Sequence, residues 1–371
     1  MYYFLFIYTI VLCLIFYKYG VGQMNTKTNI TIVLSSTRIK INRNKLIIWI
    51  ILIALPFIYL STQRDFSIGT DTSGTYQLIY YNGYAKNGWN VPLYEFLYIY
   101  YVKLMYAINK EYRFLLFATS AIICIGFITY FLKKANKLNV VVALCSFIPL
   151  VFCFSLNGQR QALAMTMSLV FLTLLEKRKT FYSIVVLILI FFVHASGLVL
   201  AIYYIPYFFK DQFKDKKIIP IAFIIAPLLL PLIINLVTRI PIFARYQDNL
   251  GSFDLLNVNT KFLIFPLLML PFIILFWDKL IKLQADNYIH LCGYVFIYSA
   301  ILMSGYLWYA FRMMYYFVPS EIIIVSQLEK CCNKRQKILI NSYILISLLL
   351  YFVFVYVMRD TDSIYPYRFG I

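Results

Sequence analysis

About a dozen apolar runs recur along this chain, with short charged loops between them, and some, such as Ile218–Thr238 and Ile338–Val357, are close to twenty residues long. Twenty apolar residues in a helix match the hydrocarbon thickness of a bilayer. With 62% hydrophobic and 13% charged residues, the 371-residue chain has too little polar surface for a soluble domain. The period-two alternation of a membrane barrel is missing. The reading is an all-α, polytopic integral membrane protein of about 11–12 spans, treated as one domain over residues 1–371. Met1–Tyr17 has neither a basic start nor a small-residue cleavage site, so it is read as a retained span.

Threading these runs sorts the loops by charge. The loops placed inside hold eighteen lysines and four arginines. The opposite side holds four lysines and eight arginines: Arg64, Arg113, Arg160, Arg239, Arg245, Arg312, Arg359 and Arg368. The positive-inside rule accounts for the lysines and for most of the net charge of +19, so nucleic acid is not an expected partner. Orientation does not require arginine on the far side, where its planar fork suits phosphate or carboxylate. The first outer segment is 61–113 and the second outer loop is 239–261. Val91–Ile108 is apolar but holds Glu95 and Lys103. If it crosses fully, Lys133, Lys134 and Lys137 fall outside. If it is re-entrant, they fall inside and later loops agree, which is the preferred threading.

The chemistry-bearing candidates lie mostly on the arginine side. Arg160, in LNGQRQALA, and Arg312, between SGYLWYAF and MMYYF, stand at the ends of apolar runs, where an unpartnered cation is costly. Arg64, Arg239 and Arg245 are further candidates for holding an anionic substrate, and Trp89 for stacking on a sugar. His194, in FFVHASGL, falls where an overlong apolar stretch is expected to break into two short helices. Its ordinary pKa of about 6.5 suits proton transfer. Asp71 and Glu95 are the carboxylate candidates, while Asp65 has Arg64 beside it as a partner. His290 is expected at a cytosolic interface. Two histidines far apart and seven scattered cysteines give no metal or disulfide framework, so no cofactor is expected.

Four pieces in order resemble the EpsG-like members of the Wzy-type polysaccharide polymerases. They are RDFSIGTDTSGTY at Arg64–Tyr76 with Glu95 following, GQRQALAMTMSL at Gly158–Leu169, FFVHASGLVL at Phe191–Leu200 and FRMMYYF at Phe311–Phe317. The resemblance implies a membrane-embedded, GT-C-like glycosyltransferase at the outer face of the bacterial inner membrane. Its substrate would be a polyprenyl-pyrophosphate-linked glycan, used among membrane lipids to build O-antigen, capsule or exopolysaccharide. A chain-length regulator protein is an expected partner. The resemblance carries the family's arginine, histidine and acidic motif onto Arg160, His194 and Asp71. A lipid-linked oligosaccharide flippase and a membrane acyltransferase are the competing readings. The first lacks an internal repeat, and the second lacks a histidine early in the chain.

Overall fold

The computed structural model describes residues 1–19, 29–34, 37–82, 93–213, 254, 256, 258–306 and 308–370. The described residues form an almost wholly helical structure that divides into two compact units. One comprises residues 1–198 and 338–371, and the other residues 199–337. Five helices are long and apolar enough to cross a membrane: Lys45–Gln63, Tyr112–Lys133, Thr260–Leu283, Asn287–Gly305 and Lys334–Met358. Five shorter apolar helices accompany them. Ile218–Thr238 lies outside the described residues.

In the first unit, α1 (Tyr2–Tyr19) is followed by an antiparallel hairpin, β1 (Asn29–Leu34) and β2 (Thr37–Asn42). The period-two spacing of NITIVL and TRIKIN accounts for the hairpin, since Ile30 is registered with Ile41 and Ile32 with Ile39. Then come α2 (Arg43–Gln63), α3 (Gln77–Asn82), α4 (Phe96–Ile108) and α5 (Tyr112–Lys133). With thirteen residues, α4 rises only about 20 Å.

Asn139 starts α6 (Val140–Ser155) by accepting hydrogen bonds from the Val141 and Val142 amides. Pro149 has no N–H to continue the ladder, and α6 widens into a π turn over Ile148–Phe152. Next are α7 (Gln159–Glu176) and α8 (Thr180–Val193). The helices pack as α2 on α5, α5 on α7 and α7 on α8. An ion pair between Lys134 and Glu176 joins the ends of α5 and α7.

The last residues return to this unit. Phe352 packs against Tyr2 at 5.5 Å between ring centres, and the Tyr2 hydroxyl donates to the Ile364 carbonyl at 2.8 Å. Beyond the helix, Phe369 bridges to Arg64, the Asp65 amide donates to Arg368 O (2.9 Å), and the Gly370 amide donates to Gln63 O (2.9 Å). The tail is therefore docked along its backbone.

The second unit contains α9 (Ile264–Leu283), α10 (Asn287–Leu302), a 3₁₀ segment at Trp308–Tyr316 and α11 (Val318–Gln327). Nearly all of α10 is buried, against α11 and the 3₁₀ segment. His290 was expected at a membrane interface. It is instead fully buried, with Nδ1 3.1 Å from Ser320 Oγ, which lies 2.7 Å from the Tyr203 hydroxyl. A buried imidazole is tolerable because this partner satisfies it.

Gly293 permits that packing. A Cβ there would lie 2.2 Å from the Tyr203 hydroxyl and 2.8 Å from Ser320 Cβ. Gly293→Ala should cost about 1–3 kcal/mol as overpacking. Adding Tyr203→Phe, which removes the clashing oxygen, should recover part of that loss. Thermal unfolding in detergent of the single and double variants measures both effects.

Candidate active site

The site starts from a helix that stops early. At Val193, α8 ends, and His194 takes an extended conformation with φ −156° and ψ 113°. A 3₁₀ segment, Ala195–Tyr203, follows. The break turns the Ala195 N–H away from the helical ladder, and it donates instead to Glu95 Oε1 at 2.9 Å. The same oxygen lies 3.0 Å from His194 Nδ1. Glu95 itself closes a short 3₁₀ turn, Leu93–Glu95, just ahead of α4. Aromatic contacts hold this turn to the end of α8. Tyr94 stacks on Phe191 (5.8 Å, 17°), and Phe96 packs on Phe192 (4.6 Å).

Glu95 Oε2 faces the third member, with Arg160 Nη1 at 2.8 Å. Arg160 stands in the first turn of α7, and its guanidinium lies 5.8 Å over the Tyr98 ring. Gly158 precedes that helix and offers no side-chain cap. Residues 95, 160 and 194 thus meet at one carboxylate, although 99 positions separate Glu95 from His194.

Accessibility separates the three roles. Glu95 is fully enclosed, while the side chains of Arg160 and His194 are 21% and 17% exposed. Burial by itself would push the Glu95 carboxyl up. The Arg160 guanidinium, followed by His194 and the Ala195 N–H, outweighs burial and holds it down at about 2. The result is an anion that no solute touches, bearing two cation-capable groups that solutes can reach.

Other sequence candidates fall elsewhere. Arg64 is fully buried, and its fork is engaged by the protein itself. Nη1 donates to Ser61 O (2.8 Å) and Ser61 Oγ (2.7 Å), and Nη2 donates to Leu156 O (2.9 Å). Asp65 does not turn to that fork; its Oδ1 accepts from the Ser67 amide at 2.8 Å. Asp71 is half-buried, and its amide donates to Asn157 Oδ1 at 2.8 Å, which ties its loop to the turn just before Arg160. Arg312 belongs to the second unit, in the 3₁₀ segment whose Phe311 stacks on Phe262 at 4.9 Å. Trp89, Arg239 and Arg245 lie outside the described residues. Among the described residues, no three of His, Cys, Asp and Glu gather as a metal site would require.

The match to known families bears on what such a site belongs to. The model of the EpsG family matches residues 47–369. The chain belongs to the EpsG family. It is therefore a multi-pass membrane protein of a polysaccharide-polymerase-type family. No curated protein and no solved structure matches it.

The geometry makes Glu95 the keystone of an ion cluster. Glu95→Ala leaves the Arg160 charge half-buried without its carboxylate, which should destabilise the protein by about 3–5 kcal/mol. Glu95→Ala combined with Arg160→Ala should be less harmful than the sum of the two, and a double-mutant cycle on thermal unfolding measures the coupling. Because the folded pKa is depressed, this stabilisation is complete above the ordinary carboxylate value and is lost as pH falls towards 2. Unfolding between pH 5 and 9 should show no step from Glu95.

Proposed function

We propose that this EpsG-family protein is the polymerase that joins lipid-linked oligosaccharide repeat units into O-antigen, capsule or exopolysaccharide. It would do so at the outer face of the bacterial inner membrane, in company with a chain-length regulator. The observation that carries this reading is the enclosed carboxylate of Glu95 holding two partly exposed groups of complementary use, Arg160 and His194.

The donor is a glycan whose terminal sugar is bonded to polyprenyl pyrophosphate. The acceptor is a hydroxyl at the non-reducing end of an incoming lipid-linked unit. The acceptor oxygen forms a bond to the donor's anomeric carbon, and the bond from that carbon to the pyrophosphate oxygen breaks. Polyprenyl pyrophosphate departs with the bonding pair, and its added negative charge falls to Arg160 and the uncapped first turn of α7. The acceptor proton goes to His194 Nε2, because Nδ1 is engaged by Glu95. Glu95 orients the ring and stabilises the imidazolium without touching substrate, the role a buried carboxylate plays beside a histidine base. Asp71 borders the site through Asn157 and is the candidate for orienting a sugar hydroxyl. This division of labour assigns the base to His194 and positioning to Glu95.

An electrophoretic profile of surface polysaccharide tests the reading. Cells lacking the gene should make single-unit molecules and no ladder. Wild type should restore the ladder, while Arg160→Ala and His194→Ala, present at normal levels, should not. Loss of every unit-bearing species would instead indicate a flippase, and a normal ladder of altered unit mass an acyltransferase. With purified protein in lipid discs, Arg160→Ala should lower kcat roughly 10²–10³-fold.

A further inference from the structure

The C-terminal tail is not a loose end, and its contacts converge on one side chain. Asn157 is buried in the turn between α6 and α7, three residues before Arg160. Its Oδ1 accepts from the Asp71 amide (2.8 Å) and from Thr70 Oγ1 (3.2 Å). Its Nδ2 donates to Asp362 Oδ1 at 2.9 Å. The amide cannot sit the other way round. A flipped group would set NH₂ against an N–H and its carbonyl against a carboxylate.

The surrounding backbone is shaped around this junction. Gly69 has φ +84°, and a Cβ there would lie 2.5 Å from Leu156 O and 3.1 Å from Asn157 Cα. Only glycine lets the loop lie so close to the turn. Across from it, Asp360, Asp362 and Ser363 all hold positive φ (41°, 63° and 51°). Non-glycine residues stay in that region when surrounding contacts over-determine it. The Gly69 amide reaches Ser363 O at 3.4 Å, so loop and tail also meet along the backbone.

We propose that Asn157 and Asp362 are positioning residues of the active site, a bolt by which the C-terminal tail fixes the Asp71 loop and the first turn of α7 against each other. The consequence for chemistry is direct. Asn157 connects through Gly158 to Gln159 and Arg160, and the Ala162 amide donates to Gly158 O at 2.8 Å in the opening turn of the helix. Displacing Asn157 tilts that turn and moves the Arg160 fork relative to Glu95 and to the leaving group. Misplacement of a reacting group by about 1 Å can cost 10²-fold in rate.

The test is a charge swap. Asn157→Asp sets two carboxylates face to face, so it should lower kcat by about 10- to 100-fold with little change in KM. Asp362→Asn keeps one amide hydrogen bond and should lose less. The double variant, Asn157→Asp with Asp362→Asn, re-forms the pair with donor and acceptor exchanged. It should restore kcat to within about threefold, within the usual non-additivity of contacting residues. Limited trypsin cleavage at Arg359 and Arg368 reads the bolt without reference to activity. It should quicken in Asn157→Asp and return to the wild-type rate in the double variant.

Wild-type kcat in Asn157→Asp, with or without faster tail cleavage, overturns the proposal. So does a folded double variant that is no more active than Asn157→Asp. The kcat arm rests on the polymerase reading, so His194→Ala is run beside it. If His194→Ala leaves the ladder intact, the base assignment fails; if deletion of the gene leaves it intact, the polymerase reading fails, while the trypsin pattern still decides whether the tail is bolted.

Discussion

The first unit depends on one carboxylate taken out of water. An ionised Glu95 in an apolar surrounding is affordable only with its charge answered on several sides, and here both oxygens are engaged. Three segments meet as a result: the turn before α4, the first turn of α7 and the break after α8. Aromatic contacts and the Asn157 hydrogen bonds also hold these segments, but only Glu95 answers all three. The break leaves an N–H without a helical acceptor, the start of α7 carries an arginine with no acid near it in sequence, and the turn carries an acid in an apolar stretch. Each defect supplies what another lacks.

This economy explains why two arginines of the first unit are of two kinds. Arg64 and Arg160 look alike as letters beside apolar runs. Arg64 folds inward, and its fork grips Ser61 and the Leu156 carbonyl, joining the turn after α2 to the end of α6. Arg160 keeps part of its side chain open while Glu95 neutralises it from behind. A guanidinium suits both tasks because it offers several donors in one plane. What distinguishes them is how far the side chain is enclosed, and that is a property of packing.

That difference marks how far the letters could be read. The membrane character, the helical class and the break at His194 follow from run length and from FFVHASGL, since these are local properties. Arg160, His194 and Glu95 could be singled out because charged groups at the ends of apolar runs are expensive. Their meeting could not be, since it depends on how α4, α7 and α8 pack. The burial of Arg64 and of His290 could not be read for one reason: burial with a protein partner has no mark in sequence. The β1–β2 hairpin was overlooked because its basic residues were counted for topology and its alternating isoleucines were not. The docking of the tail has no such mark either: in YPYRFG the Tyr367 hydroxyl donates to Leu60 O at 2.6 Å.

The tail also bears on why this unit is built from both ends of the chain. A loop turning at Gly69 and a short helix too brief to anchor itself cannot by themselves fix Asp71 within an ångström. Backbone pairing with residues 368–370 on one side and the Asn157 amide on the other confines the loop without adding apolar bulk. On the proposed polymerase reading, a site for a large, amphiphilic glycan donor would have reason to prefer this. Hydrogen bonds to backbone keep a loop in register while leaving its face polar, whereas a packed apolar clamp would compete with the lipid such a site would admit.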